Sequence, residues 1–570
     1  MKLDLGFQGE LDTEITVLFN NIAKKLRGPF TQIVSEISDP IKGNIDWWVE
    51  GPASRNTLVN PFFHYYCAFN LVDELFKMNY DISEIIVDSF ALEKILKQYF
   101  HVNGKSIPIK YKEKRLKSYL KKLIIPFIKI PLELYNRIYQ YRCAQKTKYL
   151  QKLIPNKYLT LIDMYVFPGF ISKDRYYNGL WEYLSFDKKK STFFVPTLVA
   201  IPKNEVLKAY EELRKSKRNF LIKEDYLKII DILFAIGHCY RILRIRVNPA
   251  YVLGVDIAPL IKEDITSMRG LENAVIALLN YRFARRLKER SVKLRLVIDW
   301  FENQVVDKGW NAGFNSFYPN VKTVGYSGQI PSSNYLCSFP SECEKINGLL
   351  PSEIAVVGKG LVESTKEFVS ELNVKTAPSF RFKHVWNQDT TKPDPDYCTV
   401  LVTLSQIPKL TIEVLNIVYE VMDTTSSNSL RFWIKPHPSV SDISLKEWWD
   451  SEWPQDFIIV EGDANYYLPR SDILISGMSS ICLEAIAFGI PVIEIEDTSG
   501  LIYNTIPKEV PKDLWRSCRT SQQVSEATHH FKNLSHEDIK KHQKLSFQVR
   551  EKYFEPVTKE NVYKFLELEI

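Results

Sequence analysis

Short apolar segments alternate with longer segments of helical periodicity along most of this chain, and no other sequence feature restricts its fold as strongly. Strands that are apolar along their whole length must be covered on both faces, which is typical of parallel sheets flanked by helices. Amphipathic segments over 204–245 and 260–290 predict helices between such strands. The strand candidates of the first half are 84–88, 159–167, 193–200, 294–303 and 321–328.

The second half of the chain repeats this plan. A length of 570 residues exceeds what one hydrophobic core normally organises, so two or three domains are expected. We predict an α/β protein with two Rossmann-like domains, 1–340 and 341–535, that face a central cleft. A charged C-terminal helix over 536–570 is expected to pack back on the first domain. The strand candidates of the second half are 353–360, 398–406, 430–439, 457–463, 471–480 and 491–497.

The segment 105–155 interrupts the pattern with a strongly basic stretch. Residues 105–152 contain fourteen Lys and Arg against Glu113 and Glu133, and Pro126 and Pro131 are expected to break its helical periodicity. Such a helical insertion in the first domain fits an interfacial helix pair on anionic lipid, and equally a solvated hairpin. The sequence leaves both open.

The composition indicates in which compartment the protein functions and which classes of partner it binds. The net charge of +7 is small for this length and does not indicate nucleic acid. Eight scattered cysteines without a CxxC pair indicate reduced thiols, and the acidic N-terminus does not resemble a signal peptide. We therefore expect a cytoplasmic protein, which peripheral contact through 105–152 could place at the inner face of the cytoplasmic membrane.

Polar residues at the ends of two predicted strands of the second domain are candidates for binding phosphate. The segment IKPHPS places Lys435, His437 and Pro438 where the prolines stop a strand and direct the imidazole away from the sheet. The alternative is a histidine packed in a proline turn.

The segment SGMSS follows the next such strand and precedes a helix. Ser479 and Ser480 would lie at the helix N-terminus, where hydroxyl and backbone N–H groups bind phosphate, although a simple N-cap explains one of them. Glu484, one turn later, could accept a hydrogen bond from a ribose hydroxyl or could be a first-turn acid favoured by the helix dipole.

The order of these two motifs resembles that of bacterial GT-B glycosyltransferases that use CMP-activated ulosonic acids, the sialic-acid and Kdo transferases. Their C-terminal domains carry an HP motif and a Ser-Ser motif, which His437-Pro438 and Ser479-Ser480 match. The resemblance implies that His437, Ser479 and Ser480 hold the nucleotide phosphate. Glycerophosphate transferases of teichoic acid synthesis share a related motif pair, so the donor stays open.

The first half is similar to proteins of surface-carbohydrate biosynthesis in the segments 46–63, 299–314 and 321–328. The loop Tyr326–Gln329 departs from that group because it lacks an expected histidine. Transfer to a hydroxyl requires a general base. Glu302 and Asp299 are the candidates, and we favour Glu302 because it lies nearer the carboxyl end of the predicted strand, although an ion pair with a nearby Lys or Arg would also explain it.

These features predict a metal-independent transferase, without a cofactor, that moves an ulosonic acid from a CMP donor to a glycan or lipid-linked glycan acceptor of the bacterial surface. Asp394 and Asp396 match the Asp-x-Asp pattern of metal-dependent transferases, but they precede a strand and we interpret them as a loop. The alternatives are a UDP-sugar, GDP-sugar or CDP-glycerol donor, and a non-catalytic scaffold of a polysaccharide assembly complex.

Overall fold

The computed structural model describes residues 1–7, 9–113, 115–171, 174–386, 397–424, 430–449, 452–477, 479–497 and 500–569. The chain forms two compact units. The first comprises Met1–Gln329, Tyr335–Arg381 and Val557–Ile570, and the second comprises Ile330–Asn334 and Phe382–Pro556. Both are built on parallel sheets, which confirms the predicted α/β class with two Rossmann-like units.

The first unit contains two parallel sheets and a short antiparallel pair. The larger sheet has the strand order β11-β10-β9-β8-β4-β5, and the smaller one has the order β1-β2-β3. Strands β6 and β7 form the antiparallel pair. The strands are β1 (Lys2–Asp4), β2 (Glu84–Val87), β3 (Ile109–Tyr111), β4 (Leu159–Val166), β5 (Thr192–Leu198), β6 (Tyr251–Val252), β7 (Val255–Asp256), β8 (Leu294–Trp300), β9 (Lys322–Ser327), β10 (Glu353–Val356) and β11 (Val374–Thr376).

The helices of the first unit cover its sheets and include shorter pieces than the sequence pattern predicts. The segments 204–245 and 260–290 each divide, the second at Met268, which has a left-handed backbone. The helices are α1 (Thr13–Ser38), α2 (Ile45–Trp48), α3 (Gly51–Ser54), α4 (Phe62–Lys77), α5 (Phe90–Val102), α6 (Arg115–Lys146), α7 (Leu180–Tyr183), α8 (Phe186–Ser191), α9 (Val206–Lys215), α10 (Ile229–Ile236), α11 (His238–Ile242), α12 (Ala258–Ser267), α13 (Leu271–Glu289), α14 (Val305–Phe317), α15 (Glu342–Ile346) and α16 (Val362–Thr365).

Helices α13 and α14 lie against each other with unusually little separation. A Cβ atom at Gly309 would lie 2.0 Å from the carbonyl oxygen of Ala277, so only glycine permits this approach. The apolar side chains of both helices, including Phe283 and Phe314, form a core with those of β4, β5 and β8. This packing fixes the start of α14 beside the carboxyl end of β8.

The prediction that Pro126 and Pro131 break the basic segment is wrong, because both lie inside the single helix α6. An internal proline removes one backbone hydrogen bond and disfavours a helix. Tertiary packing offsets the free energy lost with that hydrogen bond, since Leu134 and Ile138 of α6 pack against the core of the first unit. The segment is therefore one helix and not a hairpin, and its inner side packs against the core of the first unit.

The strand over 353–360 is confirmed, but its assignment to the second domain is wrong. Glu353–Val356 pairs in parallel with β9, so the sheet of the first unit continues beyond residue 340. The compact first unit extends to Arg381. The sequence pattern could not show this, because parallel strands of either sheet have the same apolar composition.

The second unit contains one six-stranded parallel sheet with the order β14-β13-β12-β15-β16-β17. This is the strand order of the dinucleotide-binding Rossmann fold, in which the order reverses between the first and the fourth strand. Here the reversal lies between β12 and β15. The strands are β12 (Cys398–Thr403), β13 (Leu430–Lys435), β14 (Phe457–Ile459), β15 (Ile473–Ser476), β16 (Val492–Ile495) and β17 (Trp515–Cys518).

Helices cover the sheet of the second unit, and the chain then returns to the first unit. Buried side chains of α17 and α21, such as Leu415 and Phe531, form the core with those of the central strands. The helices are α17 (Pro408–Thr424), α18 (Asp442–Trp448), α19 (Ala464–Tyr467), α20 (Ile481–Phe488), α21 (Ser521–Lys532), α22 (His536–Tyr553) and, in the first unit, α23 (Lys559–Phe565). No helix in the described parts of the chain combines the length and apolarity that a bilayer span requires.

Candidate functional site

A cavity of about 270 Å³ opens at the carboxyl ends of the central strands of the second unit. It lies at the reversal of strand order between β12 and β15, where Rossmann sheets bind their ligands. Its lining includes the ends of β12, β15 and β16 and the loop that follows β13. The lining includes the side chains of Thr403, Glu413, His437, Ser476, Ser479, Glu496 and Asp497.

The base of this cavity is formed by two hydroxyl side chains at equivalent positions of neighbouring strands. Thr403 and Ser476 are register partners, and the Thr403 hydroxyl donates a hydrogen bond of 2.7 Å to the Ser476 hydroxyl. Each side chain terminates its strand, so the pair lies where the sheet ends. The search of strand ends for polar residues could have found both, and the motif SGMSS contained Ser476.

His437 lines the cavity, as its position after β13 predicts. The strand ends at Lys435, directly before Pro436. The Ser439 backbone N–H donates to His437 Nδ1 at 3.2 Å, and the Ser439 hydroxyl lies 2.7 Å from the same atom. Because Nδ1 accepts, the neutral ring carries its proton on Nε2, which makes Nε2–H a donor suited to a phosphate oxygen.

The two predicted serines occupy different positions at the start of α20. Ser479 lines the cavity and its backbone oxygen accepts a hydrogen bond of 2.6 Å from the Thr505 hydroxyl. Ser480 is the N-cap residue of α20, although its side chain makes no capping hydrogen bond, and it does not line the cavity. The structure thus brings Ser479 together with His437.

Three other predicted site residues lie near the cavity without lining it. Pro438 is exposed beside His437. The Lys435 ammonium is buried and donates to the Pro436 carbonyl oxygen at 3.1 Å, and burial lowers its pKa. Glu484 is buried and its carboxylate lies 2.7 Å from His384 Nε2. Its partner is therefore a histidine of the same unit.

Carboxylates at the opposite rim of the cavity were not singled out from the sequence. Glu496 and Asp497 follow β16 and line the cavity, and Glu496 accepts a hydrogen bond of 2.7 Å from Arg519 Nε. Glu494, the register partner of Ser476, is fully buried, and neither of its carboxylate oxygens has a hydrogen-bond partner among the described residues. Burial, together with the charge of Glu496, raises the pKa of Glu494 to about 7.

In the first unit, Glu302 lies in the loop between β8 and α14. The sequence predicted a strand over 294–303 that includes Glu302, but strand β8 ends at Trp300 and Glu302 lies beyond it. Its carboxylate is half-buried and accepts hydrogen bonds from Trp300 Nε1 at 2.9 Å and from Gln304 Nε2 at 2.5 Å. In the part of the chain that the structure describes, no Lys or Arg forms the ion pair with Glu302 that was considered as an alternative.

A buried ionic network fixes this loop. Asn303 has a left-handed backbone (φ 56°), and its side chain bonds both Lys308 and Glu344. Glu344 also contacts Lys308 and, at 2.8 Å, Arg55. Burial disfavours the Glu344 anion, but the two cations outweigh that effect and lower its pKa to about 2. The loop carrying Glu302 is therefore held rigidly by charge pairs that exclude water.

Asp299 belongs to a group of buried carboxyl groups below the same loop. Its Oδ2 accepts a hydrogen bond of 2.7 Å from Asn311, and burial and the neighbouring Asp307 and Asp163 raise its pKa well above the usual range. Burial raises the pKa of Asp163 to about 7 and that of Asp307 to about 8. Asp299 is thus enclosed in a surrounding that disfavours its charged form, whereas Glu302 is half-exposed.

Among the described residues, no three His, Cys, Asp or Glu side chains converge in the way a metal site requires. The predicted loop residues Asp394 and Asp396 lie outside the described residues.

No family model matches this chain, and no curated protein matches it either. Solved structures are similar to it over most of its length. S. aureus MnaA with UDP has 13% identity over 72% of this chain and 98% of its own, with a TM-score of 0.41. The calicheamicin glycosyltransferase CalG4 has 11% identity over 69% of this chain and 95% of its own, with a TM-score of 0.40.

A UDP-forming α,α-trehalose-phosphate synthase from Burkholderia vietnamiensis has 10% identity over 72% of this chain and 96% of its own, with a TM-score of 0.41. With identities and TM-scores this low, the function is argued from the geometry of this chain and not from those proteins.

Proposed function

We propose that this chain is a GT-B glycosyltransferase whose second unit binds the nucleotide of an activated sugar donor in the strand-end cavity. The observation that carries the proposal is the meeting of His437 and Ser479 in one cavity at the reversal of strand order. A ring N–H and hydroxyl groups that line one cavity are the kinds of donor that a phosphate needs. They would stabilise the charge that develops as the nucleotide leaves.

The opposite rim of the cavity suits the ribose. Carboxylates accept hydrogen bonds from vicinal hydroxyl groups, and Glu413 and Asp497 line the cavity. A volume of about 270 Å³ is small among ligand sites, which suits part of a mononucleotide rather than a whole sugar nucleotide. The sugar would then extend out of the cavity.

For the donor we propose a CMP-activated ulosonic acid, and for the acceptor a glycan or lipid-linked glycan of the bacterial surface. This rests on the order of the His437-Pro438 and Ser479-Ser480 motifs and on the cavity that contains His437 and Ser479. Glu302 would act as the general base on the acceptor hydroxyl, because it is half-exposed at the end of β8 and held by a rigid loop. No metal takes part in this scheme.

Calorimetric titration of the full chain with CMP, CDP, UDP and GDP, with and without EDTA, tests the proposal. We expect CMP to bind most tightly, EDTA to have no effect, and His437→Ala to weaken binding by roughly tenfold to a hundredfold, which is the size of a hydrogen bond to a charged group. The matched control is His529→Ala, an exposed histidine on α21.

Each other outcome has a defined meaning. Preference for UDP, GDP or CDP contradicts the CMP donor and supports the alternative donors. Loss of binding in EDTA contradicts the metal-independent scheme. Absence of binding by every nucleotide contradicts the transferase and favours the scaffold.

A further inference from the structure

Helix α6 has an apolar face on each side. Toward the protein, Ile130, Leu134, Ile138 and Tyr141 pack against the core of the first unit, and Glu133 is buried in an ion pair with Arg137. On the other side every exposed position from 124 to 135 is apolar. We call this side the outer face of α6, and its residues are Ile124, Phe127, Ile128, Pro131, Leu132 and Tyr135.

The spacing of these residues places them on one stripe. Positions three and four apart are neighbours on a helix surface, and the outer face runs at steps of three, one, three, one and three. Phe127 is 81% exposed. The solvent side of a helix that covers a sheet normally carries polar residues, so this continuous apolar stripe indicates a surface that another apolar phase covers.

The positive charge of the segment that carries the outer face indicates what kind of apolar phase covers it. Residues 105–152 contain fourteen Lys and Arg and two Glu, and Glu133, the one acidic residue of α6, is buried against Arg137. Lys203 lies over the Tyr135 ring with its Nζ 4.1 Å from the ring centroid. An apolar stripe within a basic segment is complementary to anionic headgroups above an acyl layer.

A second copy of the chain is a poorer partner for the same stripe. Docking two outer faces would bring together two segments that each carry an excess of twelve positive charges in the sequence. Like charges in contact oppose association, whereas anionic lipid neutralises them.

We propose that the outer face of α6 docks on an anionic lipid bilayer, with the helix parallel to the surface and Phe127, Ile128 and Leu132 at the boundary of headgroups and acyl chains. This docking would keep the enzyme beside a lipid-linked acceptor. It does not require the nucleotide site assigned above, so each can fail without the other.

Sedimentation of the full chain with vesicles tests the docking. We expect binding to phosphatidylcholine vesicles that contain phosphatidylglycerol, weaker binding to pure phosphatidylcholine, and weakening of the former by salt. The double substitution Phe127→Ser, Ile128→Ser should reduce binding at least roughly tenfold, since two large apolar side chains leave the interface. Phe186→Ser is the matched control, because Phe186 is 75% exposed in the same unit but outside α6.

Nucleotide titration and far-UV circular dichroism of the same variants keep the test interpretable. Both should be unchanged, since the substituted side chains are exposed. Vesicle binding that persists in the double variant, or that is equal with and without phosphatidylglycerol, overturns the proposal. A wild-type dimer that the double substitution dissociates also overturns it, in favour of a second copy. Absence of nucleotide binding by the wild-type chain would contradict the proposed function and leave the docking intact.

Discussion

The hydroxyl groups of Thr403 and Ser476 are joined by a hydrogen bond of 2.7 Å across the ends of two neighbouring strands. This bond joins the last residues of β12 and β15, where the strand order of the sheet reverses. Both side chains line the cavity proposed for the nucleotide. The pair links the stability of the second unit to the shape of its site, because neither residue can be changed without altering both.

Removing both hydroxyls of this pair should cost less than the sum of the two single losses. Thr403→Val and Ser476→Ala each leave the other hydroxyl without its partner, so we expect each to lower the free energy of unfolding by about 1–3 kcal/mol. The double variant should lose clearly less than the sum. Urea unfolding of the three variants checks this, and Thr403→Ser, which keeps the hydroxyl, is the control. Additive losses would contradict the coupling.

Nucleotide affinity should fall as the pH rises through the titration of Glu494. Burial and Glu496 raise its pKa from 4.5 to about 7, so the carboxyl group is neutral at pH 6 and becomes charged above pH 7. A new negative charge beside the phosphate site should weaken binding by about 1 kcal/mol, roughly fivefold. Calorimetry at pH 6 and pH 8 measures this difference, and Glu494→Gln should remove it.

The same substitution has a predicted effect on stability. A carboxyl group with a raised folded-state pKa stabilises the fold below its unfolded pKa, and this contribution is lost as the pH rises from about 4.5 to about 7. Glu494→Gln should therefore flatten the pH dependence of unfolding in that window. An unchanged dependence would mean that Glu494 is not protonated in the folded protein.

Glu302→Gln should separate chemistry from binding. If Glu302 is the general base, the variant should lose about 10²–10⁴-fold in kcat while its nucleotide Kd stays unchanged. The assay is transfer from the donor that calorimetry identifies. Asp299→Asn is the control, since Asp299 is enclosed and burial beside Asp307 and Asp163 raises its pKa, which disfavours the anion that a base must supply. Full activity of the Glu302 variant would exclude it as the base.

Glu344→Gln should be among the most destabilising single changes in the first unit. It leaves Arg55 and Lys308 buried without their counter-charge, which typically costs about 3–5 kcal/mol. Glu342→Gln, an exposed change on the same helix, should cost little. Denaturant unfolding at pH 7 distinguishes the two, and equal stabilities would contradict the structural role of the network.

The wild-type protein should lose stability in acid as Glu344 becomes protonated and the network loses its anion. The folded-state pKa of Glu344 is lowered to about 2, so its contribution is complete above the ordinary value of 4.5 and is lost as the pH falls toward 2. The loss should be absent in Glu344→Gln.

The local sequence pattern was sufficient to predict most strands and some of the residues that line the cavity. The apolar segments before Thr403, Lys435 and Ser476 are strands, and the polar residues that follow them reach one cavity, because parallel strands end at the same edge. The sequence pattern did not predict the short strands β1, β3, β6, β7, β11 and β17, since two to four residues carry too little periodicity to stand out.

What the sequence could not show depends on contacts between distant residues. The contact between Glu484 and His384, a hundred positions apart, is one of them, and the ribose role of Glu484 stays a prediction. Position along the predicted strand favoured Glu302 over Asp299, but the burial of Asp299 beside Asp163 and Asp307 is visible only in the structure. Pro126 and Pro131 lie inside a helix because packing of its inner face outweighs the local preference.

The two ends of the second unit lie side by side. The rings of Phe382 and Phe554 are 5.2 Å apart, and Trp386 Nε1 donates to the Phe554 carbonyl oxygen at 3.2 Å. Apart from the short segment Ile330–Asn334, the second unit is thus one continuous segment of chain, inserted in the sequence between two segments of the first unit, and its two ends lie next to each other. Such a unit can be removed, replaced or given new termini inside its own loops, so the half that we propose to bind the nucleotide can be exchanged between proteins of the same fold as a single piece.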